Sequence, residues 1–164
     1  MVNKRKIRDT LRMIASIFFI WLYIPHILIY LFGENKSIIN SDLEAHRNQV
    51  NINFEANWFL LLYLLHNNCW FRNIFYYRIG PVWNLLIGWW RPGCRSFLIP
   101  YSTKIGKGML MAHAYATILN AESIGDNFSF IHCTTIGKKN GKRPVIGNNV
   151  TLGANVVILS LIHI

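Results

Sequence analysis

Carboxylates are scarce in this chain. Seven Asp and Glu face seventeen Lys and Arg among 164 residues, a formal balance of +10. No acid occurs between Glu55 and Glu122, so a base in that stretch must find any carboxylate partner elsewhere. The excess of cations suits an anionic partner: nucleic acid, an anionic membrane face or a phosphate-bearing coenzyme. Nucleic acid is the weakest of these, because no recognised binding module accompanies the charges. Cysteine is scarcer still. Cys69, Cys94 and Cys133 are widely spaced with no C-x-x-C pair, which argues against a disulfide framework or a zinc ribbon and for a reducing compartment. Long uncharged runs are missing apart from Met13 to Phe32, since Trp58 to Phe71 stops at Arg72 and holds His66, Asn67 and Asn68. The length allows one core domain and an appendage.

The single long apolar run comes after Lys4, Arg5, Lys6, Arg8 and Arg12. It is long enough to span a bilayer, and Leu31-Phe32-Gly33-Glu34 makes a poor signal-peptide cleavage site. Pro25 and His26 interrupt it near its middle. We therefore expect residues 1–33 to form a kinked helix lying in a membrane leaflet, anchored by its cations; a transmembrane helix is the alternative. Residues 34–98 read as a helical cap. Ser41 or Asn40, with Asp42 and Glu44 behind it, offers an N-terminal cap. Ala56 to Tyr77 is rich in Leu and aromatics, and Pro81 and Trp90-Arg91-Pro92-Gly93 interrupt the helical pattern beyond Tyr77. The mixture of Trp and Arg from residue 70 to 95 suits a membrane interface or packing on the next domain, and the sequence does not separate the two.

From residue 99 to 164 the period changes to six. Ile124, Phe130 and Ile136 form one run, Ile146, Leu152, Ile158 and Ile164 another, and Ile105 and Met111 keep the step upstream. One extra residue lies between Met111 and Ile124. Gly comes directly after the marked residue at positions 106, 125, 137, 147 and 153, where it should permit corner geometry that a side chain would strain. A period of six is the signature of a parallel β-helix, a prism of short strands stacked coil on coil. His113 falls just off an inward position, at a strand edge or corner. His132 and Cys133 come after Phe130, and adjacent strand residues face opposite ways, so Cys133 reads as a small core residue rather than as a nucleophile activated by His132. The step from Ile136 to Ile146 loops out Lys138-Lys139-Asn140-Gly141-Lys142-Arg143-Pro144, a basic loop that suits phosphate or a solvated turn.

The segment from Lys104-Ile105-Gly106-Lys107-Gly108 through His113, then Phe128 to Gly137, the basic loop, and Pro144 to Ile158 resembles the serine acetyltransferases and the acetyltransferases of capsule and colanic acid biosynthesis. The resemblance implies a mainly β, left-handed parallel β-helix behind the helical region, a homotrimer, and acetyl-CoA as donor without a metal. It implies His113 as catalytic base. The residues themselves offer His132 and Arg143 as candidates against the acceptor, and Lys138, Lys139, Lys142, Gly137 and Ala154 as candidates against the coenzyme. His132 could equally serve the developing oxyanion or merely bond a corner. The acceptor implied first is the hydroxyl of L-serine; a sugar hydroxyl in exopolysaccharide synthesis is the alternative. A cytosolic coenzyme would keep the chain on the inner face of the cytoplasmic membrane.

Two departures matter. The position that holds an orienting Asp in serine acetyltransferases falls near Leu98, and Lys142-Arg143-Pro144 stands where a second His would come after the loop. Leu159 to Ile164 lacks corner residues and matches a translated sequencing-adapter end, so the chain reads as cut short after Ile158 and His163 carries no functional weight. A metal-dependent lyase on the same fold would need three His ligands, and the prism before Leu159 has only His113 and His132. A scaffold without catalysis is the remaining class.

Overall fold

The computed structural model describes residues 2–50 and 56–159. His163 and the last sixfold position, Ile164, lie outside them. Five helices come first: α1 (Val2–Phe18), α2 (Ile24–Phe32), α3 (Lys36–Arg47), α4 (Asn57–Asn67) and α5 (Cys69–Ile87), with a 3₁₀ turn at Ile20–Tyr23 between α1 and α2. The bend between α1 and α2 is 73°. It lies upstream of Pro25, which takes the first turn of α2, where its fixed φ and missing N–H do no harm. Among the described residues no single helix is long and apolar enough to cross a membrane; only this bent pair passes on length and composition.

α4 is the centre of the helical layer. Leu60 to Leu65 are all buried, as expected of a helix that is apolar all round. The Asn68 side chain then caps α5 by accepting from the N–H groups of Trp70 and Phe71 at 3.1 and 3.0 Å, and Gly80, at φ 88°, breaks α5 before Pro81. Asn40, Ser41 and Asp42 are not a cap. They lie inside α3, and Asp42 is buried, because its carboxylate has a partner distant in sequence.

That partner is Arg78. Its Nε donates to Asp42 Oδ2 at 2.7 Å and its Nη2 to Oδ1 at 3.2 Å. The same guanidinium donates to the carbonyls of Ile105 (2.7 Å) and Gly106 (2.6 Å) in the first coil of the prism, while Asp42 Oδ1 also accepts from Met109 N–H at 2.8 Å. Burial pushes the Asp42 carboxyl above its ordinary range, against the pull of Arg78 and the Met109 N–H. Gln49, donating to Met111 O at 3.0 Å, and Tyr77, donating to Thr103 O, add further ties. The helical region thus docks on the first coil.

Two buried histidines make this layer sensitive to acid. His46 Nδ1–H donates to Asp42 O at 2.7 Å. His26 Nε2–H donates to the Tyr76 hydroxyl at 3.0 Å, whose own proton goes to Arg91 O. Burial pushes both imidazoles down to about 4, helped at His26 by Arg72 and Arg91. Between pH 6.5 and about 4 the unfolded chain takes up protons at these rings that the folded chain refuses, so stability falls as pH drops through that window. The expected loss is about 3 kcal/mol per ring at its fullest. Denaturant unfolding at pH 7, 5.5 and 4.5 checks it, and a flat profile would contradict the burial.

The prism begins at β1 (Phe97–Leu98). The first coil continues with β2 (Lys104–Ile105) and β3 (Leu110–Ala112). The second holds β4 (Thr117–Leu119), β5 (Ser123–Ile124) and β6 (Ser129–Ile131). The third holds β7 (Thr135–Gly137), β8 (Val145–Ile146) and β9 (Thr151–Leu152), and β10 (Val157–Leu159) starts a fourth. All pairings are parallel, in three sheets ordered β1-β4-β7-β10, β2-β5-β8 and β3-β6-β9. Ile105, Ile124 and Ile146 stack in one sheet, Met111, Phe130 and Leu152 in another, and Leu119, Ile136 and Ile158 in the third. All nine are buried.

The glycines work differently from the sequence expectation. Gly106 and Gly125 are not left-handed; a Cβ on either would collide with Asp126 or Asn148 of the next coil. Those side chains run up the prism as a ladder: Asp126 accepts from Lys107 N–H at 3.0 Å, and Asn148 from Asp126 N–H at 2.8 Å. The left-handed corner position falls two residues on, at Gly108, Asn127 and Asn149. Asn tolerates that backbone better than most side chains, and Asn127 donates to Asn149 at 2.9 Å.

Candidate active site

The corner between β3 and β4 is longer than its neighbours. Met111 pairs with Phe130 and Leu119 with Ile136, so the first coil takes two more residues than the second to turn the same corner. The next side is one residue shorter, which leaves the single extra residue seen in the sequence. His113 and Ala114 form the excess. His113 comes directly after β3, has φ 54° and is exposed, while Ala114 beneath it is buried. Tyr115 N–H closes the turn on His113 O at 2.7 Å. The Trp70 ring of α5 stands edge-on to the imidazole, with centroids 5.6 Å apart and planes at 88°. The imidazole is therefore oriented by an aromatic wall and free to meet a ligand.

His132 lies one coil below, at the same corner. It is half-buried, its Nδ1 is buried with no partner among the described residues, and its carbonyl accepts from Asn155 N–H. Cys133 is not a core residue. It sits in the turn after β6 with φ 58°, half-buried, and Thr134 fills the interior instead. The opposite-faces argument therefore fails for this pair, because neither residue is on a strand. All three cysteines are free. Ala154 is exposed at the same corner one further coil on.

The basic loop occupies a different corner, between β7 and β8. It is a hairpin: Lys139 and Lys142 exchange backbone hydrogen bonds of 3.0 and 3.1 Å, and Asn140 and Gly141 take φ 52° and 78°. An Asn-Gly pair with both residues left-handed is a tight hairpin turn, a signal readable in the sequence but missed there. Lys138, Lys139 and Lys142 are exposed. Arg143 is not free for a ligand in the same way, because its Nη1 donates to Ser102 O and Oγ at 3.2 and 3.0 Å. Gly137 is the last residue of β7, half-buried beside the inward Ile136. Within one protomer, His113, His132 and Ala154 share a corner; the loop and Arg143 do not join them.

Leu98 is exposed on β1, where the resemblance would have an Asp. The two acids of the prism, Glu122 and Asp126, lie at the other two corners. No carboxylate of the prism therefore stands beside His113 in the same protomer. Among the described residues no group of three His, Cys, Asp or Glu could hold a metal ion.

No family model matches the chain. A protein of Escherichia coli strain K12 assigned as the colanic acid biosynthesis acetyltransferase WcaB is 40% identical over 68 residues, which are 39% of this chain and 42% of that protein. The chloroplastic serine acetyltransferase 1 of Arabidopsis thaliana is 42% identical over 66 residues, 37% of this chain and 21% of that one. The match thus spans about two fifths or less of the curated relatives. The crystal structure of serine acetyltransferase from Brucella abortus strain S19 superposes with a TM-score of 0.60 at 19% identity, over 82% of this chain and 58% of that one. The soybean apoenzyme gives 0.60 at 25% identity, over 83% and 59%. The sequence of this chain is thus similar to colanic acid and serine acetyltransferases, and its fold is the helical region and left-handed parallel β-helix of the serine acetyltransferase structures.

Proposed function

We propose that this chain transfers an acetyl group from acetyl-CoA to a hydroxyl acceptor, with His113 as general base. The observation that carries the proposal is an imidazole lifted clear of the prism by a two-residue insertion, in a chain similar to acetyltransferases. The acceptor oxygen attacks the thioester carbonyl as His113 takes its proton. The C–S bond then breaks, and the coenzyme leaves as thiolate and regains that proton. The products are an acetyl ester and a free thiol. No covalent intermediate is needed when both substrates are held together. Lys138, Lys139 and Lys142 suit the coenzyme's phosphates, and Ala154 and Gly137 leave room for its thiol arm. Arg143 is held by Ser102 of the first coil, and His132 is the nearer group for the acceptor. A trimer would set one prism's loop against another's corner, and the outward row of Leu98, Ile118 and Val157 on the β1-β4-β7-β10 sheet supplies an apolar face for such a contact.

L-serine and a sugar hydroxyl remain the two acceptors, and a specific observation favours the sugar. An amino-acid acceptor brings an ammonium group, and the corner of His113 has no carboxylate to receive it. It has aromatic faces instead, Trp70 and the exposed Tyr115. Thiol release from acetyl-CoA should be measured with L-serine and with a panel of neutral sugars. We expect a sugar to give at least about tenfold higher kcat/KM than serine. A higher value for serine overturns the sugar reading, and no thiol release with any acceptor favours a scaffold without catalysis.

A further inference from the structure

The first helix is built inside out. α1 packs on α4 with its polar side: Asp9 is 3% exposed and Ser16 0%, with Tyr63 OH donating to Asp9 Oδ1 at 3.2 Å and Asn67 Nδ2 to Ser16 Oγ at 3.0 Å. Ile7, Leu11, Ile14 and Phe18, on the opposite side of the helix at i, i+4, i+7 and i+11, face outward, Leu11 62% and Phe18 74% exposed. A helix docked on a protein in water presents the reverse. The apolar surface does not end with α1. Trp21 of the 3₁₀ turn meets Trp90 with ring centroids 6.4 Å apart, and Leu28 and Phe32 of α2 adjoin Trp83 and Ile87 across an apolar cleft of about 390 Å³. Val82, Leu85 and Leu86 continue it along the last turns of α5, and Trp89 just beyond them. So extended a patch marks an interaction surface.

The charges beside it name the partner. The one acid of α1 is buried, and Lys4, Lys6, Arg8 and Arg12 are exposed on its flanks. Four of the six tryptophans, at 21, 83, 89 and 90, are exposed on the same face, as at a headgroup boundary. We propose that α1, α2 and the end of α5 form one docking face for an anionic lipid leaflet, lying in its interface, with the cleft between α2 and α5 open to a lipid chain. Cations at the rim and apolar bulk at the centre fit a bilayer of negative surface potential, and the buried Asp9 removes the one charge on α1 that would oppose it. Docking itself needs no acetyl transfer; only the choice of the cytoplasmic leaflet rests on the proposed use of acetyl-CoA.

The test uses the full chain with vesicles of phosphatidylcholine alone or mixed with phosphatidylglycerol, read by flotation. Binding to the anionic vesicles should exceed that to the neutral ones by at least about tenfold and fall with added salt. Brominated lipids should quench most of the tryptophan fluorescence, and alkaline carbonate should strip the protein from the vesicles. Leu11→Glu with Ile14→Glu, which leaves the buried side of α1 intact, should abolish flotation, and Lys4→Glu with Lys6→Glu should remove the preference for anionic lipid. His113→Asn should float like the parent, whatever its activity. Absence of flotation and quenching overturns the proposal. So does carbonate resistance, which means a spanning segment, or a change of oligomer size in Leu11→Glu/Ile14→Glu with flotation unchanged, which means a face between copies of the chain.

Discussion

Asparagine at position 113 is expected to lower kcat for acetyl transfer by about 10²–10⁴-fold, the usual contribution of a positioned base, while the melting temperature stays where it was. Asparagine is chosen because His113 holds φ 54°, a conformation that Asn tolerates; alanine there would confuse lost chemistry with backbone strain. Among the described residues the ring's one neighbour of note is Trp70, met edge-on, so little stability is at stake. Full turnover in His113→Asn would remove this residue from the mechanism and leave His132, one coil away, as the next base to try. Trp70→Leu should lower kcat by less than His113→Asn does, because it frees the ring to rotate without removing its nitrogen atoms.

Arg78→Ala is expected to be the most destabilising single change outside the prism core. It removes four hydrogen bonds, two to Asp42 and two to coil carbonyls, and strands a carboxylate that is buried on every side. Breaking such a pair costs about 3–5 kcal/mol, mostly from the charge left unpaired. Denaturant unfolding with an unchanged m-value would measure it. Hydrogen exchange should quicken first at Met109, whose N–H bonds the same carboxylate. Replacing both partners with Leu should recover much of the loss, since no charge is then stranded. If Arg78→Ala costs less than about 1 kcal/mol, a value typical of an exposed pair, the join between helices and prism rests on apolar packing instead.

The sequence shows some of this and hides the rest, for reasons that differ by residue. The inward stack from Ile105 to Ile158 was legible because a coil repeats its contacts at a fixed chain interval. His113 was legible as a residue just off that register, yet its corner was not, since the insertion of two residues is masked by a side one residue shorter before Ile124. The glycine positions were visible and their cause was not: steric clearance beneath the next coil is a contact between distant residues. The Asp42–Arg78 pair, 36 residues apart, leaves no periodic trace. The inverted face of α1 is hidden for another reason. Composition marks the segment as apolar, but which side packs is decided by Tyr63 and Asn67 on α4, two polar groups that only the assembled bundle brings to Asp9 and Ser16.

The lengthened corner at His113 has a consequence for how such a molecule can change. The strands on either side of it keep their partners, Ala112 with Ile131 and Leu119 with Ile136, so added residues there leave the stacking of the solenoid untouched. Reactive groups can therefore be gained, traded or lost at a vertex by small insertions and deletions, while point substitutions along the flat sides are held in check by the layers above and below. Lineages sharing this scaffold should diverge in acceptor chiefly through vertex length.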